Sequence, residues 1–232
     1  MLTRLILNQK NLMPRVLRDP AIPLTRVTFL CGQNGSGKST LLSAFEQFVY
    51  RDDPWTAETA PVLVEGSMHG TVCFFSMEKD NPRVRRESGN SMAEVVFRLN
   101  SGYMSHGQSN FEVLQDLLLR SKHALVVLDE PESALDLDGL LWLRDALLKT
   151  DKQVIVATHS PLLLALHTMP GVSMQSFGPD PEYGARVLRD YTRLLQGLQV
   201  KPVKKRLPAL EFSDKPAPRP TVRRSARSTT KN

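Results

Sequence analysis

Two short stretches of the chain carry side chains able to do chemistry together. The first, Gly32-Gln-Asn-Gly-Ser-Gly-Lys38-Ser39, has the spacing G-x-x-x-x-G-K-[ST], in which glycines let successive backbone N–H groups curl around phosphate oxygens. Gly32, Gly35 and Gly37 supply backbone conformations that other residues adopt only at a cost, and Asn34, Ser36 and Thr40 are assigned with them to the phosphate cradle. Lys38 can reach β- and γ-phosphates, and the Ser39 hydroxyl can ligate Mg²⁺. The second stretch, Ala124-Leu-Val-Val-Leu-Asp129-Glu130, is an apolar run that ends in two adjacent acids. That placement puts Asp129 beside the metal's shell and Glu130 where it can orient an attacking water. Either stretch alone has an ordinary reading, as a Gly/Ser turn with an exposed lysine or as loop charges at a strand end. Together they point to a nucleotide triphosphate and its hydrolysis.

These groups need a scaffold, and the surrounding pattern predicts one. Leu2 to Leu7 and Val27 to Leu30 are short apolar runs bounded by turn or charged residues, hence strands, and Ser39 to Tyr50 places Leu42, Phe45 and Val49 on one helical face. The glycine-rich loop therefore has the strand before it and the helix after it that phosphate binding requires. Residues 51–70 hold turn-formers and little periodicity, whereas Thr71 to Ser76 has strand content. Met92 to Leu99 and Phe111 to Leu119 are expected as helices, with the polar stretch SGYMSHGQS between them. The run KDNPRVRRESGNS, with Arg83, Arg85 and Arg86, is expected as a solvated surface excursion.

The second half alternates strand and helix: Ala124 to Leu128, Leu135 to Leu148, Gln153 to Ala157, Pro161 to His167, Gly171 to Phe177. Such alternation predicts a largely parallel sheet covered by helices. Val187, Tyr191, Leu194, Leu195 and Leu198 fall on one stripe of a terminal helix.

Charge divides the chain at the end of that helix. Of the 232 residues, 201–232 hold ten Lys or Arg against two acids, a net +8, which leaves the rest near −2 within a total of +6. This Pro, Ser and Arg-rich segment is expected to be disordered, giving a domain over 1–199 and a basic tail over 200–232. The tail has two open readings. It binds nucleic-acid phosphates, or it is a solubilising or localisation appendage or a contact for an acidic protein. No apolar run approaches the ~20 residues of a membrane span, and the N-terminus lacks a signal peptide's apolar core and cleavage site. A cytoplasmic location without membrane insertion is the expectation. Cys31 and Cys73 lie in apolar runs and suit buried thiols better than a disulfide or metal site.

The residues also carry a resemblance. LVVLDEPESALD followed after a helix by VIVATHS resembles the Walker B, D-loop and switch-histidine run of the ABC-type ATPases, the superfamily of transporter engines and SMC and RecF-like DNA-maintenance proteins. SHGQS, Ser105 to Ser109, resembles their signature motif. More narrowly, FFSME at 74 to 78, SHGQS, LDEPESAL and ATHSPLLLA are similar to a group of small stand-alone ABC-type ATPases, a match over about residues 1–198. The resemblance implies an α/β P-loop NTPase with a mostly parallel central sheet and a reduced helical lobe. It further implies Mg-dependent ATP hydrolysis in a homodimer that sandwiches nucleotide between protomers. Ser105, Gly107 and Gln108 would present the signature face to nucleotide held by the second protomer. Glu130 would be the catalytic base, Asp136 would contact the opposite protomer, and His159 would sense the γ-phosphate. Glu78 stands at the Q-loop position, where the metal's shell is completed, and His106 stands where the usual signature has a small residue.

Only 67 positions separate Lys38 from Ser105, too few for the coiled-coil insertion of a rod-like clamp. Two function classes remain open: a dimerising ATPase acting on a partner, nucleic acid or a separate effector protein, and a nucleotide-gated binding module whose tail makes the useful contact. The intact acid pair and His159 favour the first. A small-metabolite kinase would have no use for SHGQS or the THS turn.

Overall fold

The computed structural model describes residues 1–8, 21–50, 56, 59–76, 106–133 and 135–197, all within the unit Met1–Gln199; the side chains of 106–110 lie outside that description. Five strands form one parallel sheet: β3 (Val27–Cys31), β5 (Val72–Ser76), β6 (Leu125–Asp129), β7 (Gln153–Ala157) and β8 (Val172–Ser176). Their order is β5-β6-β7-β3-β8, so β7 lies between the strand that leads into the glycine-rich loop and the strand that ends in the acid pair. This arrangement is an α/β P-loop NTPase fold, with the parallel sheet that the alternation predicts.

The sheet's two faces are sorted by residue parity, because successive side chains on a strand point to opposite sides. Val126, Leu128, Val154, Val156 and Phe29 join one buried cluster with Leu114 of α2, Leu118 just beyond its end, and Leu143 and Leu147 of α3. Leu125, Val127, Ile155, Ala157 and Leu30 join a second cluster with Leu41, Leu42 and Phe45 of α1. Here α1 is Lys38–Tyr50, α2 is His106–Gln115, and α3 is Leu137–Lys149. Every residue of β3 and β7 is buried, as expected of central strands covered on both faces.

The first strand stands outside the parallel sheet. β1 (Leu2–Leu7) pairs antiparallel with β2 (Ala21–Pro23) and β4 (Val62–Gly66) in a separate three-stranded sheet that packs Leu2, Leu5, Ile22 and Val62 into the α1 side of the core. The segment read as turn-rich thus contains β4: Val62 is buried but Glu65 and Gly66 are exposed, so its periodicity spans too few residues to register. Gln153 joins the two sheets. Its Nε2 donates to the Leu2 carbonyl (2.8 Å) and the Thr25 carbonyl (3.1 Å), and its Oε1 accepts from the Leu2 N–H (2.9 Å).

Three helices differ in detail from expectation. His106 to Ser109, expected as irregular, form the first turn of α2, which widens after Gln115 into a π-turn over Asp116–Arg120 closed by Ser121 N–H to the Asp116 carbonyl. Helix α4 (Pro161–Leu164) is one turn and tightens to 3₁₀ over Ala165–Thr168. Helix α5 (Tyr183–Leu195) buries Gly184, while Tyr191, Leu194 and Leu195 of the expected stripe are exposed. The helix expected at Met92 to Leu99, the arginine cluster 83 to 86, Leu198, most of the expected helical lobe and the whole tail fall outside the described residues. No helix among the described residues is long and apolar enough to cross a membrane.

Candidate nucleotide site

At the C-terminal end of the parallel sheet, β3 gives way to the loop Gly32 to Gly37 and the N-terminus of α1. Gly35 and Gly37 have φ of 74° and 99°, the left-handed region that glycine tolerates. Gly32 is required by crowding, since a Cβ there would lie 2.3 Å from the Phe177 carbonyl oxygen and 2.6 Å from Ser36 Oγ. The loop is thereby pressed against the end of β8. Asn34, Gly35, Ser39 and Thr40 are exposed, and Ser36 and Lys38 are buried.

Lys38 Nζ donates to the Gly32 carbonyl at 3.0 Å and the Gln33 carbonyl at 3.3 Å, folding the lysine over its own loop. Burial pushes its pKa below the ordinary lysine range, and the carboxylates of Glu130 and Asp129 pull it part of the way back. A desolvated ammonium beside a ring of backbone donors suits a polyanion, which would replace the carbonyl contacts with phosphate oxygens. Ser36 Oγ is buried with no hydrogen-bond partner among the described residues, a further polar group aimed into the loop.

The metal and water-activating residues come from β6. Ser39 Oγ donates to Asp129 Oδ1 at 3.3 Å. A hydroxyl and a carboxylate in contact are the hard oxygen donors that Mg²⁺ takes beside nucleotide phosphates, so the residues present fit that ion. One residue later the chain turns sharply. Glu130 has φ of 50°, the single non-glycine positive φ among the described residues, and its N–H bonds the Ala157 carbonyl at 2.9 Å. Such a conformation costs on the order of 1–3 kcal/mol and persists only where surrounding contacts impose it. Glu130 Oε1 lies 3.5 Å from His159 Nε2, and Oε2 accepts from Ser133 Oγ at 3.5 Å. The Glu130 side chain is 46% exposed, so its outer side faces solvent in the isolated chain.

Sequence reasoning passed over Glu132. Its Oε1 accepts from Thr158 Oγ1 (2.5 Å), the His159 N–H (2.8 Å) and the Ser160 N–H (3.2 Å), while Oε2 is buried without a partner among the described residues. Hydrogen bonds to a charged acceptor contribute roughly 1.5–3 kcal/mol each. The signal was present as a third acid in DEPE, but nothing local to that run says that it turns toward β7. Asp136, assigned by resemblance to a contact across a dimer, here caps α3 by accepting from the Gly139 N–H at 2.8 Å. Gly107 and Gln108 lie in the first turn of α2, and Ser105 and Glu78 lie outside the described residues. Neither cysteine forms a disulfide; Cys31 is buried and Cys73 half-buried.

Fold and loop together define a P-loop NTPase. A family model described as "AAA domain, putative AbiEii toxin, Type IV TA system" matches residues 99–165, taking in Asp129, Glu130, Glu132 and His159 but not the phosphate loop. Elongation factor 3 of Mycosarcoma maydis is 32% identical over 146 residues, 58% of this chain and 14% of that protein. The [NU+] prion formation protein 1 of Saccharomyces cerevisiae is 26% identical over 175 residues, 68% of this chain and 14% of that protein. The chain thus spans about a seventh of the length of the curated relatives it matches. Among solved structures, a dimeric post-hydrolysis ATP-binding cassette bound to ADP and Pi superposes with a TM-score of 0.39 at 14% identity, covering 63% of this chain and 81% of that one.

Proposed function

We propose that the protein is an ABC-type ATPase that binds Mg-ATP at the phosphate loop and hydrolyses it when two copies close over the nucleotide. The observation that carries this reading is the Glu130–His159 pair, 3.5 Å apart at the ends of β6 and β7, set beside a lysine loop whose charge both carboxylates of the acid pair feel. In this reading the loop N–H groups and Lys38 hold the β- and γ-phosphates. Ser39 and Asp129 would hold Mg²⁺, which neutralises phosphate charge when bound, with Glu78 as an assigned further contributor. Glu130 takes the proton of the attacking water, and His159 fixes the carboxylate's position and donates toward the γ-phosphate. The solvent-facing side of Glu130 supports closure by a second protomer, since hydrolysis is efficient only where bulk water is excluded. Ser105, Gly107 and Gln108 of that protomer would complete the donor set.

The nucleotide cycle is proposed to act on a partner through the tail. A segment of net +8 favours nucleic acid or an acidic protein, and deletion of residues 201–232 should abolish low-salt binding if the tail is the contact. The test of the catalytic reading is Glu130→Gln. It should lower turnover by roughly 10²- to 10⁴-fold, keep nucleotide affinity, and accumulate an ATP-bound dimer in light scattering after size exclusion. Wild-type turnover in that variant would overturn the assignment.

A further inference from the structure

We propose that Glu132 is a positioning residue that fixes His159 for hydrolysis by clamping the turn Thr158 to Ser160. The inference deepens the ATPase reading and rests on it. Three donors from one turn converge on a single carboxylate oxygen: the Thr158 hydroxyl, the His159 N–H and the Ser160 N–H, at 2.5, 2.8 and 3.2 Å. Thr158 Oγ1 in turn accepts from the Ser160 N–H at 3.0 Å, which closes the turn on itself. Ser160 is the N-cap of α4 yet makes no cap bond with its own side chain, so the acceptor that this helix start needs comes from Glu132, 28 residues earlier.

The clamp ties the two halves of the Glu130–His159 pair to each other. Glu132 belongs to the turn after β6, where the Ser133 N–H bonds the Glu130 carbonyl at 3.0 Å. The turn after β7 carries His159. Beside the side-chain pair, these turns are joined by the bond from the Glu130 N–H to the Ala157 carbonyl and by the three bonds that Glu132 accepts from Thr158, His159 and Ser160. The hydrogen bonds of the Glu132 side chain go to the turn that carries His159, and its charge is the smallest of the carboxylate contributions at Lys38, so its main effect on the reaction runs through His159. Glu132 Oε2, buried and without a partner among the described residues, marks a carboxylate placed for one oxygen's contacts and kept despite the desolvation of the other.

The test uses the full chain with Glu132→Ala and Glu132→Gln. Glutamine retains an acceptor of the same reach and should rescue part of what alanine loses. In Glu132→Ala, kcat should fall on the order of 10- to 100-fold, as a misplaced catalytic group costs, with the affinity for a non-hydrolysable ATP analogue unchanged. Measured well below the variant's melting temperature, hydrogen exchange at the His159 and Ser160 amides should quicken and the His159 ring resonances should move. A merely structural role would lower the melting temperature but leave kcat and the ring resonances as in the wild type, and that result would overturn the proposal. If the wild type shows no turnover but the His159 signals still depend on Glu132, the clamp stands and the hydrolase reading fails.

Discussion

Ser39 Oγ donates to Asp129 Oδ1 across 3.3 Å although 90 positions separate them in the chain. The contact joins the helix that follows the phosphate loop to the strand that ends in the acid pair, at the place where Mg²⁺ would be held. Replacing Ser39 by Ala removes one oxygen donor and leaves the fold's packing intact, because Ser39 is exposed. We expect the enhancement of ATP affinity by Mg²⁺ to shrink on the order of 10- to 100-fold, with metal-free affinity hardly changed. Titration calorimetry with Mg²⁺ and with EDTA measures both, and equal Mg²⁺ enhancement in variant and wild type would remove Ser39 from the metal's shell.

Two glycines of the loop, Gly32 and Gly35, should respond differently to an added methyl group. At Gly32 a Cβ meets the backbone oxygen of Phe177 at 2.3 Å, so Gly32→Ala must push β8 away and should cost about 1–3 kcal/mol in urea unfolding. At Gly35 a Cβ meets nothing within 4 Å, and only the φ of 74° resists it, a cost of roughly 1–2 kcal/mol. The sharper contrast is in binding. Gly32→Ala should lose nucleotide because the loop itself is displaced, and a Gly32→Ala protein with native affinity would show that the crowding is relieved elsewhere.

Gln153 offers a test of how the two sheets are joined. Gln153→Ala leaves the Leu2 N–H, the Leu2 carbonyl and the Thr25 carbonyl without their present side-chain partner, each worth about 1–3 kcal/mol when buried and unpaired. The variant should unfold at clearly lower urea, and the Leu2 amide should lose its protection from hydrogen exchange. Unchanged protection at Leu2 would mean that β1 is held by its strand partners alone.

Cys31 sets a pH dependence with a definite sign. Burial pushes its thiol above the ordinary 9.0, only partly offset by the Ser176 hydroxyl and the Lys38 charge. In the unfolded chain the thiol ionises near 9.0, whereas the folded chain keeps the proton to higher pH. The unfolded state then binds fewer protons, so stability is full below 9.0 and declines as pH rises toward the folded value. Urea midpoints of wild type and Cys31→Ala should therefore converge, or cross, as pH is raised through 9.0. Tyr183 is raised first by burial, which both chains share, and second by the Cys31 charge, so the part of its shift that Cys31→Ala removes has the same sign as that of the thiol. Curves that stay parallel would refute a buried, protonated Cys31.

Local spacing by itself determined the glycine loop, its flanking strand and helix, the apolar strand ending in Asp129 and Glu130, and the alternation that makes the main sheet parallel. These depend on contacts within a few residues, which composition and period report directly. Only the tertiary structure decided the strand order that inserts β7 between the loop strand and the acid strand, because order is chosen by packing whole faces and not by any one segment. The same holds for β1, whose apolar run suits either sheet and joins the antiparallel one through β2 and the short β4. It holds most clearly for Glu132 and Gln153, whose partners lie 26 to 28 and 128 to 151 positions away. A polar side chain carries no mark of which distant backbone groups it will satisfy; burial makes that choice, because an unpaired group costs more inside the core than in water.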